Sequence, residues 1–107
     1  MSTDKIINPG ARQNVDFISM KYSEALSAGL VQAMENDESI FVTGIAADHT
    51  SGIFGTTVEA LNKFGPDRIF DAPAMENALT GIAIGAAALG KRPVIVHVRN
   101  DFMFLAF

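Results

Sequence analysis

Residues 71–93 read DAPAMENALTGIAIGAAALGKRP, and they limit the fold more than any other stretch of the chain. Leu79, Ile82, Ala83, Ala86 and Leu89 recur at helical spacing, so the run predicts a helix that is apolar and small on nearly every side. A helix with no polar face has to be covered by something. Pro73 breaks the chain before it, Gly90 is the expected C-cap, and Pro93 prevents any continuation. Gly81 and Gly85 let other backbone, or a flat ligand, come close. Glu76 is the one ionisable side chain between Asp71 and Lys91. It opens the helix, where the field of the N-terminus favours negative charge. Two readings of Glu76 stay open. It is the helpful first-turn carboxylate of a buried crossover helix, or it is held away from water to share a proton with a bound base.

Around this helix the pattern alternates. Residues 1–18 form an arm, with Asn8-Pro9-Gly10 as a breaker and no periodicity near it. In residues 21–34, Tyr22, Ala25, Leu26, Gly29, Leu30, Ala33 and Met34 share one helical face, with Ser19 as a possible N-cap. Residues 39–43 are a short apolar run ending at Gly44, the mark of a buried strand. Residues 45–54 are a loop, 56–64 a helix with Val58, Leu61 and Phe64 inward, and 69–71 a short strand. After the Glu76 helix, residues 93–98 (PVIVHV) form a β-branched strand. Asn100-Asp101 offers an N-cap for a final helix. Helices alternating with strands predict an α/β fold, a parallel sheet with helical crossovers in three layers. The apolar ending over 102–107 is expected to be covered by another chain or to mark a fragment.

His49 lies in the loop after the first strand, where open α/β sheets place ligands. It is a candidate acid, base or binding group, or a plain solvated His. Asp48, His49 and Ser51 are too close in sequence to form a catalytic relay. His49 and His97 suggest no metal pair, and His97 reads as a satisfied core residue. Gly81, Gly85 and Gly90 do not make a dinucleotide fingerprint, because they lie within or after the helix.

Composition narrows the partners. The net charge is −4 with no basic run, which argues against nucleic acid and anionic membrane. The apolar stretch 78–90 is shorter than the roughly 20 residues that span a bilayer. There is no cysteine, so thiol catalysis and thiolate metal sites are excluded, and a reducing, cytoplasmic setting is the expectation. Charged residues are only 19%, low for a small free-standing domain, so part of the surface is expected to be covered.

From about residue 21 onward, the collinear series FGPDRIFDAPAMEN, GIAIGAAALGKRPV and NDF resembles the pyrimidine-binding domain of transketolase-like thiamine diphosphate enzymes. The similarity is greatest to beta subunits of the first components of 2-oxoacid dehydrogenases. On that resemblance, residues 19–107 are the N-terminal part of a truncated pyrimidine-binding domain. The resemblance implies that Glu76 hydrogen-bonds N1′ of the aminopyrimidine and so activates the cofactor, which carries the carbanion chemistry. It implies that Phe102 stacks on the pyrimidine ring and that Ala74 and Val98 line the same slot; the latter two also read as plain core. It further implies an alpha-type partner subunit holding the diphosphate and its magnesium, self-association of beta-type chains, and no metal ligand in this chain. One departure stands out: Gly44 is followed by Ile45-Ala46-Ala47, where the family carries an acidic pair. A non-catalytic assembly or structural fragment is the alternative.

Overall fold

The computed structural model describes residues 17–106. Most of the N-terminal arm therefore lies outside the described residues. The elements are α1 (Tyr22–Asn36), β1 (Ile40–Gly44), α2 (Gly52–Gly55), α3 (Val58–Phe64), β2 (Ile69–Asp71), α4 (Glu76–Ala88), β3 (Arg92–Ile95) and a 3-10 helix, Asn100–Ala106. The three strands form one parallel sheet in the order β2-β1-β3. Val42 stands between Ile69 and Val94, and Thr43 between Phe70 and Ile95.

Side chains alternate across a strand, so each strand feeds two faces. Ile40, Val42 and Ile69 point to one face, where they join Met34 of α1, Ala47 and Ala60 of α3 in the main core. Phe41 and Phe70 point to the other face, stacked with ring centroids 5.7 Å apart. α1 packs on α3, while α4 packs on β3 and the 3-10 helix. Crossovers between parallel strands are right-handed, which carries α4 to the face opposite α3. The result is the three-layer α/β arrangement expected from the alternation.

The helix ends differ from the sequence reading for local reasons. The N-cap of α1 is Lys21, not Ser19, because the Lys21 N–H donates to the Glu24 carboxylate at 3.0 Å. α4 stops at Ala88, and Gly90 sits one place beyond the cap with φ 93°. Lys91 N–H donates to the Ala86 carbonyl and Gly90 N–H to that of Ala87, a paired closure that needs a left-handed residue. β3 covers Arg92–Ile95, although Val96 N–H still donates to Thr43 at 3.0 Å. The last segment is a 3-10 helix, and Asp101 pairs with Arg99 at 3.0 Å instead of capping it.

Burial corrects the expected inward faces. In α1, Ser27 and Met34 are buried, while Tyr22 and Leu26 are exposed. In α4, Leu79 and Ala83 are buried, but Ile82 is 65% and Leu89 89% exposed. Nothing lies within 4 Å of a side chain imagined at Gly81 or Gly85. The apolar all-round helix thus has one covered stripe and open apolar faces. His97 is half-buried and makes no hydrogen bond among the described residues, so it is not a satisfied core histidine.

Candidate functional site

In a parallel α/β sheet, ligands bind where neighbouring strands send their connections to opposite faces. β1 and β2 do this. The chain leaving β1 turns through 45–57 toward α3, and the chain leaving β2 turns through 72–75 into α4. Their C-terminal ends are tied together at the base. Ala72 N–H donates to the Gly44 carbonyl at 3.2 Å. Ala46 N–H donates to the Asp71 carboxylate at 2.6 Å.

Glu76 stands at this edge as the first residue of α4. It is 9% exposed, and its carboxylate hydrogen-bonds to nothing among the described residues. Thr80 Oγ1 donates to the Glu76 carbonyl, which ties down the first turn and leaves the side chain unused. A second polar group on this sheet was not singled out by sequence: Thr43 Oγ1, at the end of β1, is buried without a partner. A lone Thr in an apolar strand gives no signal of its own.

Ala74 is exposed on the turn before α4, and Val98 is half-buried just before the 3-10 helix. Phe102 is half-buried in that helix, which packs on α4. α4 runs against the strands, so its first turn lies at their C-terminal edge, where β3 also delivers Val98 and Phe102. The Arg99 guanidinium stands over the Phe102 ring at 5.3 Å, so one ring face already has a cationic neighbour.

On the other wall, His49 is exposed. Its Nδ1 accepts the Ser51 N–H at 3.1 Å and lies 2.8 Å from Ser51 Oγ, so the neutral ring carries its proton on the outward Nε2. Two open cavities lie elsewhere. One of about 480 Å³ is lined by Ser23, Glu24, Ser27, Phe54 and Glu59. The other, about 350 Å³, is apolar and lies between Leu26 and Leu30 of α1 and Val94 and Val96. Neither includes Glu76 or Phe102. Among the described residues, no three His, Asp or Glu side chains cluster as a metal site.

Residues 18–107 match the family described as transketolase, pyrimidine binding domain. The chain belongs to that family. Among relatives of this transketolase pyrimidine-binding domain is a pyruvate dehydrogenase E1 component subunit beta from Cyanidium caldarium. It is 40% identical over 84 residues, 78% of this chain and 26% of the relative. The chloroplastic subunit beta-3 of the same component in Arabidopsis thaliana is 43% identical over 84 residues, 78% of this chain and 21% of the relative. A 2-oxoisovalerate dehydrogenase subunit beta from Bacillus subtilis is 34% identical over 87 residues, 81% of this chain and 27% of the relative. The chain spans about a quarter of the length of these relatives.

Proposed function

We propose that this chain is the pyrimidine-binding part of a beta-type subunit in a thiamine diphosphate-dependent 2-oxoacid dehydrogenase. The observation that carries the proposal is Glu76, a residue 9% exposed whose carboxylate has no hydrogen-bond partner among the described residues. A carboxylate on a largely buried residue, with unused acceptor capacity, fits a ring nitrogen that shares a proton. Glu76 would hold the proton at N1′ of the aminopyrimidine. Phe102 would offer its free face to the ring, since aromatic planes prefer offset stacking. Val98 and Ala74 would line the slot and exclude water. When bound, thiamine diphosphate supplies the carbanion chemistry at the keto carbon of the substrate. This chain would position the pyrimidine and move the N1′ proton.

An alpha-type partner subunit would hold the diphosphate and its magnesium. The names of the relatives, which describe beta subunits, support that division. The open apolar faces of α4 and the 3-10 helix, including Ile82, Ile84 and Leu105, support burial against further chains, among them a second beta-type copy. The same faces also favour a second reading, in which these 107 residues only assemble.

The test is turnover of a 2-oxoacid by the full-length subunit combined with its alpha-type partner. Glu76→Ala is expected to lower the rate by about 10²–10⁴-fold, the usual worth of a positioned acid or base. Turnover unchanged by that substitution would remove the assigned role. For the 107-residue chain itself, an assembled species with no thiamine diphosphate affinity would favour the second reading.

A further inference from the structure

One oxygen joins the two walls of the crevice. Asp71 Oδ1 accepts the Ala46 N–H at 2.6 Å and the Ala72 N–H at 2.9 Å. Ala46 begins the wall that carries His49, and Ala72 begins the turn that ends at Glu76. The two segments otherwise diverge to opposite faces of the sheet. Ala46 also has φ 64°, a left-handed conformation that a residue with a Cβ adopts only when held there. Its N–H is fixed by Asp71, and the next residue, Ala47, is fully buried, its carbonyl accepting Thr57 Oγ1 at 2.9 Å. The left-handed turn is therefore clamped from both sides.

We propose that Asp71 is a positioning residue for the Glu76 site: by holding Ala46 and Ala72 on one carboxylate oxygen, it fixes the width of the crevice. The proposal rests on the reading of Glu76 given above. Asp71 touches no reacting atom in this scheme; it acts by placing the first turn of α4. Holding a flat ring against Glu76 depends on where the turn of residues 72–75 sits. A displacement on the order of 1 Å costs roughly a hundredfold in a positioned reaction.

The conservative substitution separates positioning from charge. In Asp71→Asn the side-chain carbonyl still accepts both N–H groups; in Asp71→Ala the Ala46 N–H is released and the Ala72 N–H keeps only the Gly44 carbonyl. The test uses the full-length subunit assembled with its alpha-type partner and compares thiamine diphosphate half-saturation and kcat for these variants and Glu76→Gln. Asp71→Ala is expected to weaken half-saturation on the order of tenfold and to lower kcat, with Asp71→Asn within about threefold of the parent. If Asp71→Ala does not assemble, it is repeated with Ala46→Gly, since glycine takes the left-handed turn without restraint. The same weakening is expected there. Parental half-saturation and kcat in the Asp71→Ala background, with Glu76→Gln inactive, would overturn the positioning role alone. Full activity in Glu76→Gln would overturn the reading on which it rests.

Discussion

Arg68 reaches across 34 residues to donate from Nη2 to the Met34 carbonyl at 3.1 Å. The same nitrogen donates to Asp37 at 2.9 Å and Ile40 at 3.0 Å, and Nε donates to Ile40 at 3.1 Å. The last carbonyls of a helix have no partner within it. Arg68 satisfies one of them and the backbone entering β1, while its guanidinium lies 4.6 Å from the centre of the Phe64 ring. Arg68→Met should destabilise the protein by about 2–4 kcal/mol, because several part-buried carbonyls lose a charged donor together. Arg68→Lys should recover only part of this, since an ammonium cannot fork between carbonyls. Urea unfolding checks it: the midpoint should fall with little change in slope. A Met variant within about 0.5 kcal/mol of the parent would contradict the assignment.

Gly44 ends β1 against the backbone of β3. A Cβ there would lie 2.2 Å from the Val96 carbonyl oxygen, and no rotamer change can relieve a backbone clash. Gly44→Ala is therefore expected to cost about 1–3 kcal/mol through forced backbone movement. Gly65 gives the contrast. It has φ 80° and ψ 178°, a region that essentially only glycine adopts, but open space around it, so Gly65→Ala should cost about 1–3 kcal/mol from strain alone. Only the first should also shift the backbone signals of Val96 and Val98 in an NMR spectrum. Shifts confined to residue 44 would contradict the clash.

Asp37 carries the one clear pH signature among the described residues. Hydrogen bonds from the Ser39 side chain and then the Ser39 backbone lower its carboxyl below the usual 3.8; burial opposes them, and Arg92 and then Arg68 add smaller lowering effects. The bonds are 2.5 Å from Oγ and 2.8 Å from the N–H. A carboxyl lowered on folding contributes stability above its unfolded value and loses it as pH falls through the folded one. Asp37→Ala should thus melt lower than the parent at pH 7, and the two curves should converge below about pH 3.8. A gap that keeps its size as the pH is taken on below about 3.8 would show that the ion is not the cause.

The alternation of strands and helices was legible because buried parallel strands such as Ile40–Gly44 are apolar but for Thr43. The Glu76 turn was legible for the opposite reason, one acid in a run without others. The inward face of α1 was not. Tyr22 and Leu26 fit an apolar stripe, yet Tyr22 is exposed and Leu26 borders an apolar cavity with Val94 and Val96, not a closed core. Periodicity reports which side chains shun water, and it does not report whether this chain covers them. The turns after β1 were also hidden, because Ala46, Ile53 and Phe54 adopt positive φ without being glycine. At Ala46 a bond from a distant residue, Asp71, holds the turn. Asp71 could have been noticed as an acid closing a strand before a Pro break, a place where such residues collect backbone N–H groups. The Arg99 neighbour of Phe102 had no sequence signal beyond its nearness.

The most direct measurement pairs Glu76→Ala with a cofactor analogue whose N1′ is replaced by C–H, using the full-length subunit and its alpha-type partner. If Glu76 acts through N1′, each change alone should reduce turnover by about 10²–10⁴-fold, and the two together should reduce it little further. Independent, multiplying losses would show that the carboxylate and that nitrogen do not work on the same proton, and would contradict the account.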